Sequence, residues 1–134
     1  MKYLVLPFLL AAASVQAADL TVRFDGVSGK QGDLLIAVYN SAESYKSKQA
    51  VSRARLPADG SLETVFKGLV PGRYVVAVFH DRNSNGKLDT NSVGQPQEPY
   101  GFSRNPSTQY GPPSFDDAAV TLGNDAQTVV VSVD

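Results

Sequence analysis

From Asp19 onward, apolar and polar residues alternate along most of the chain, with turn residues between the alternating runs. Patterning of period two is that of strands with one face in a core. Leu20, Val22 and Phe24 alternate with Thr21 and Arg23 until Asp25-Gly26 ends the run. Leu34 to Tyr39 is apolar at every position, which predicts a strand covered on both faces or lying centrally. Ala50 to Arg55 alternates more weakly, and Leu62 to Phe66 forms another run after the turn residues Pro57 to Gly60. Ser41 to Ser47 reads either as one helical turn capped by Ser41 or as a polar loop.

The clearest strand ends at His80. Tyr74, Val76, Val78 and His80 share one face, and Val75, Ala77 and Phe79 share the other, so this is the expected central strand. Pro71-Gly72 before it predicts a turn in which proline fixes its own φ and glycine takes a positive one. Ala118 to Leu122 and Thr128 to Val133 are two final strands, with Val129, Val131 and Val133 facing inward. About seven short strands predict an all-β fold, a single antiparallel sandwich around one core. Thr90 to Asp117 has no clear period and is rich in proline and glycine. It predicts one long ordered loop, because Tyr100, Phe102, Tyr110 and Phe115 give it apolar groups to pack.

The amino terminus breaks this pattern. Lys2, the mostly apolar run Tyr3 to Ala13 and the small residues of Val15-Gln16-Ala17 read as a secretory signal peptide cleaved after Ala17. The domain is then residues 18–134. The apolar run falls short of the ~20 residues a membrane helix needs, and no later stretch comes closer, so no transmembrane segment is expected. No cysteine occurs in the chain, which excludes a lipid-modified amino terminus and disulfide stapling. An exported product in a bacterial periplasm or culture medium fits best. Twelve basic residues face 13 acidic ones, a balance that gives nucleic acid or an anionic membrane no handle.

Candidate chemistry concentrates in Asp81 to Asp89, D-R-N-S-N-G-K-L-D. Asp81, Asn83 and Asn85 place an oxygen-bearing side chain at every second position, Gly86 allows a sharp bend, and Asp89 closes the run. A chain wrapping around a hard cation needs that arrangement, with the Lys87 carbonyl as a further donor. The pattern departs from an EF-hand in two ways: a strand enters the loop, and Ser92 stands where a bidentate glutamate belongs. Glu98, Asp116 or Asp117 would have to supply the missing carboxylate. Calcium is the expected ion, at an affinity on the order of 10⁻⁴ to 10⁻³ M, as in extracellular modules. The alternative is a set of Asx-turns that caps the connection with no ion.

His80 is the one histidine. As a base it would need a nucleophile such as Ser84, Ser103 or Ser114, and none of these stands in a nucleophile motif. A lone histidine at a strand end reads more simply as a hydrogen-bonded core residue, and no catalytic residue is assigned. Tyr100, Phe102, Tyr110 and Phe115, set among prolines, form either a platform for a glycan, peptide or lipid or the anchors of the long loop. His80, Glu98, Tyr100 and Tyr110 are the candidate ligand contacts.

Three motifs in order, H-D-R-N-S-N-G-K-L-D (His80 to Asp89), G-Q-P-Q-E-P-Y-G-F-S (Gly94 to Ser103) and G-P-P-S-F-D-D-A (Gly111 to Ala118), carry a resemblance across the domain. The chain resembles the bacterial exported family known as domain of unknown function 2141. The resemblance implies a small secreted β-sandwich, immunoglobulin-like or prealbumin-like, and assigns no activity. The reading is an exported, non-enzymatic binding or structural module whose partner is a protein, glycan or envelope component. Two alternatives stand beside it. One is a small hydrolase or isomerase built like the transthyretin-related enzymes, with His80 as base. The other is an envelope or export accessory domain that pairs through an edge strand.

Overall fold

The computed structural model describes residues 16–134; the signal-peptide assignment lies, apart from its last two residues, outside them. Eight strands form two sheets. The smaller sheet is built from β1 (Ala18–Asp25), β4 (Glu63–Leu69) and β8 (Gln127–Ser132) in the order β4-β1-β8. The larger has the order β3-β2-β5-β6, from β2 (Asp33–Tyr39), β3 (Ser52–Pro57), β5 (Gly72–Asp81) and β6 (Tyr100–Phe102), and β7 (Val120–Leu122) pairs with the start of β5. The expected sandwich of about seven strands is thus close, with one difference. β1 and β8 run parallel, from Leu20 opposite Gln127 to Asp25 opposite Ser132, so the fold is not wholly antiparallel.

Alternation dictates which residues meet between the sheets. Leu20, Val22 and Phe24 of β1 face Leu34, Ile36 and Val38 of β2 and Val76 and Val78 of β5, all buried in one cluster. Val131 of β8 and Val133 just beyond it complete the cluster, with Val129 partly buried against it. Each fully buried side chain of this kind contributes about 1.5 to 3 kcal/mol, which lets a domain without disulfides hold together. β2 lies centrally in its sheet, as its unbroken apolar run allows; its inner face is buried, and its outer face is covered at Tyr39 and only partly buried at Leu35 and Ala37. Its outer face carries Tyr39, packed with Val75, Phe115, Ala118 and Ala119 in a second, smaller cluster.

Two short helices cover that outer face. α1 (Ala42–Ser47) forms because Ser41 and Ser44 cap it reciprocally: each side chain accepts the other's backbone N–H, at 3.0 and 3.2 Å. α2 (Phe115–Ala118) starts at Ser114, whose hydroxyl accepts from the Asp117 N–H at 3.1 Å. Ala118 therefore ends a helix and does not begin the strand expected there. The stretch Thr90 to Asp117 is likewise not one loop, since β6 pairs with β5 inside it and α2 begins within it. Gly72 also departs from expectation. It is not among the glycines with positive φ and instead opens β5 opposite Leu122, so Pro71-Gly72 leads straight into a strand.

Candidate functional site

β5 delivers Asp81 to the end of the larger sheet, and the chain then turns through Arg82 to Asp89. Asp81 is 1% exposed, and its two carboxylate oxygens accept from the Asn85 N–H at 3.2 Å and the Gly86 N–H at 2.8 Å. Asn83 Oδ1 takes the Asn85 N–H at 3.3 Å, and Asn85 Oδ1 takes the Lys87 N–H at 3.0 Å. These are side chains folded onto backbone two residues ahead, the Asx geometry that gives a tight connection its shape. The Asn83 and Asn85 amide nitrogens both reach the Asp89 carboxylate, at 2.5 and 2.7 Å. Asn83, Asn85 and Asp89 are thus joined side chain to side chain, while the Asn83, Asn85 and Asp81 oxygens are taken by backbone N–H groups of the same turn.

Of the three carboxylates considered as a fifth partner, Glu98 is the one that arrives. Asp89 to Gln97 folds as a hairpin, with Asn91 N–H bonded to Gln95 O at 2.9 Å and Gln97 N–H to Asp89 O at 2.7 Å. The returning chain then pairs with β5, placing Tyr100 opposite Phe79. Two residues further along that register, Glu98 falls opposite Asp81. It is 7% exposed, and its oxygens accept the Arg82 N–H at 2.7 Å and the Asp89 N–H at 3.0 Å, clamping both ends of the loop. Asp116 and Asp117 sit in α2, where Asp116 pairs with Arg73 at 2.8 Å near the other end of β5. Arg73 lies eight residues from Asp81 along a strand, about 26 Å away, so neither aspartate reaches the loop.

Gly32 is a further determinant, one that no motif in the sequence marks. At φ +72° it lies against the start of the loop, and a β-carbon there would fall 2.0 Å from the Asp81 carbonyl oxygen. Among the described residues, no three His, Cys, Asp or Glu side chains gather closely enough to hold a metal by themselves. A cation here would thus need the Asn83 and Asn85 side-chain oxygens as well as carboxylates.

Hydrogen bonds from Asn85 and then Asn83, with Lys87 nearby, hold the Asp89 carboxyl below its ordinary pKa. A lowered folded-state pKa means that the unfolded chain binds more protons in acid. The stabilisation from Asp89 is complete above the ordinary carboxylate range and is lost as pH falls through the lowered value. Protection of the Asn85 and Lys87 amides, taken relative to the intrinsic exchange rate at each pH, is therefore expected to fall on acidification below that range, ahead of protection in β1. Equal loss of protection in loop and core would mean that Asp89 does not set the loop's acid sensitivity.

His80 is fully buried at the core-facing end of β5. Its Nε2 donates to the Gln31 carbonyl at 2.6 Å, since a carbonyl can only accept, and Nδ1 is buried with no partner among the described residues. Ser103 is spent elsewhere: its hydroxyl donates to Ala118 O at 2.6 Å and accepts the Val76 N–H at 3.0 Å. Ser114 caps α2, and Ser84 lies in the exposed part of the loop at φ +55°. None of the three serines hydrogen-bonds the His80 ring, whose partner is Gln31. Phe102 and Phe115 anchor chain to sheet, whereas Tyr110 is 95% exposed and Tyr100 bonds Thr108 Oγ1 at 2.9 Å, so the four aromatics form no single platform.

Among the described residues, no helix is long and apolar enough to cross a membrane. No curated protein and no solved structure matches the chain. One family does match, over residues 22–130, which spans both sheets and the whole loop. The chain belongs to that family, DUF2141, whose members are described as uncharacterized proteins conserved in bacteria.

Proposed function

We propose that this protein is an exported, non-enzymatic binding or structural module whose Asp81–Asp89 loop takes calcium and so fixes the long segment that follows it. One observation supports the reading: Asn83, Asn85 and Asp89 are joined by side-chain hydrogen bonds in one turn that starts at Asp81, and Glu98 clamps that turn from the neighbouring strand. Hard oxygen donors of mixed charge, set on an irregular loop, suit calcium's large and flexible coordination shell better than magnesium's strict octahedron. In the bound form the Asn83 and Asn85 amide oxygens would face the ion, and Asp81, Asp89 and the Lys87 carbonyl would complete the protein's share. The ion would hold the loop's donors together in place of the amide hydrogens that now meet Asp89.

Export is supported by Lys2, the apolar run behind it and the small residues before Ala18, where β1 begins. A mass for the exported product that starts at Ala18 tests it, and an uncleaved cytoplasmic product would refute it. A non-enzymatic role is supported by His80, whose ring has no exposed surface for a substrate to meet. Pairing through an edge finds less support, because β3 carries Arg53, Arg55 and Pro57, groups that discourage strand addition.

The calcium reading predicts a melting shift. At calcium 10 to 100 times the dissociation constant, the folded state gains about 1.4 to 2.7 kcal/mol, or on the order of 5 to 10 °C for a domain of this size. Magnesium is expected to do markedly less. Asp89→Asn, which keeps the shape of the loop and removes one carboxylate, should abolish most of the shift, and Asp81→Ala all of it. Saturating calcium that moves neither the melting temperature nor protease cleavage after Lys87 would refute the reading.

A further inference from the structure

On the outer face of the larger sheet, away from the core, lies a half-open trough of about 660 Å³. Its floor is set by one cross-strand pair: Ala37 of β2 faces Ala77 of β5, so the two central positions carry only methyl groups. The next pair along, Leu35 and Phe79, rises above them, and Tyr39 and Tyr45 close the opposite end with their rings edge to face at 5.5 Å. Phe102 and Tyr100 wall one side, also edge to face, at 6.1 Å. The volume falls within the range of small-ligand sites, ~300 to 1,000 Å³.

Charge around the trough is one-sided. Every charged residue lining it is basic, namely Lys46, Lys48, Arg53 and Lys87, in a chain whose acidic residues outnumber its basic ones. None of the four belongs to an ion pair among the described residues, where Arg23, Arg55 and Arg73 take the pairs that form. Arg53 is held over the rim by a bond from its guanidinium to the Lys48 carbonyl at 3.2 Å. An apolar slot with an unpaired cationic rim matches an amphipathic anion: a hydrocarbon tail gains by leaving water, and the head finds charge at the mouth without being buried.

We infer that the Ala37–Ala77 trough is a binding site for a single-chain acyl carboxylate, with the tail along the alanine floor and the carboxylate at the Lys46, Lys48 and Arg53 rim. The site goes beyond the calcium reading. Only Gly86, Lys87 and Leu88 of its wall come from the loop, and the floor and three of the four cations do not depend on it.

The test is calorimetric titration of the purified protein, in calcium-free buffer, with dodecanoate kept below its micelle concentration. One dodecanoate per chain is expected. Each methylene removed, through decanoate to octanoate, should weaken binding by about fourfold. The alkyl trimethylammonium of equal length should bind at least ~10-fold more weakly, the cost of a reversed charge at such a rim. Ala77→Leu, which fills an already outward-facing position, should abolish binding. Lys48→Gln with Arg53→Gln should weaken it ~10-fold, and their unchanged melting temperature would show that the fold is intact. Failure of dodecanoate to bind, equal binding of the cationic analogue, indifference to both variants, or binding to anionic vesicles without binding of the monomer would each overturn the inference. Because no calcium is present, any of these results leaves the melting test of the loop to be decided separately.

Discussion

Glu98→Ala is expected to lower stability by about 2 to 4 kcal/mol and to detach the Asp81–Asp89 loop from the end of β5. Two backbone donors lose their acceptor at once, Arg82 N–H and Asp89 N–H, and each unsatisfied group costs about 1 to 3 kcal/mol. Both bonds are only part-buried, so water reaches the orphaned groups and the loss stays in the lower half of the doubled range. The variant also removes a buried carboxylate, whose desolvation is itself unfavourable, and that trims the loss further. Glu98→Gln keeps one acceptor oxygen but turns an amide toward the other donor, so an intermediate loss is expected. Urea unfolding gives the magnitude, and amide exchange gives the place. Protection at Arg82 and Asp89 should fall by more than the global loss explains, and uniform loss across the domain would show that the clamp does not hold the loop.

The role of Glu98 also marks the boundary of what the sequence made legible. Side-chain spacing alone singles out Asp81, Asn83, Asn85 and Asp89, because Asp and Asn two apart on a tight turn bond backbone and one another locally, whatever the rest of the fold does. Glu98 could be named only as one of three carboxylates. Its arrival depends on the register of β6 against β5, and register depends on a hairpin whose closure no periodicity announces. The same distinction separates the strands. β1 and β8 alternate, so their inward residues are legible, whereas β5 is apolar on both faces and its pattern gives a strand without saying which face meets the core. β6 has three residues, one of them glycine, and three residues carry no measurable period. Alternation also tells which face is buried but not which strand lies alongside, so the parallel pairing of β1 with β8 was out of reach. The helix at Phe115 does have a sequence signal: Ser114 with Asp117 three residues on is a capping pattern, set inside a segment with no clear period.

The shortness of β6 leads to the second large effect. Gly101→Ala is expected to destabilise the protein by about 3 kcal/mol, the upper part of the range for overpacking, and to lower the melting temperature by roughly 10 °C. Gly101 lies between the sheets at their corner: β6 bonds to β5 on one side, and Tyr100 exchanges backbone bonds with Asp134 on the other, at 3.3 and 3.4 Å. A β-carbon at Gly101 would fall 2.0 Å from the Ser132 carbonyl oxygen and 3.1 Å from a Val131 methyl. The obstacle is backbone, so no rotamer change relieves it. Either β6 lifts from β5 or the end of β8 retreats from the corner. Retreat of β8 would pull Val131 out of the core, and lifting of β6 would carry Glu98 off Arg82, so the damage should spread to the loop. Gly123→Ala is the matched control, because a β-carbon there meets nothing within 4 Å and φ is not positive. It should be neutral, or stabilising by about 0.4 to 1 kcal/mol through the unfolded chain. If Gly101→Ala melts with the wild type, the two sheets do not depend on this close approach. If it melts low while loop exchange is unchanged, the corner and the site are independent, and the register of β6 is not what keeps Glu98 in place.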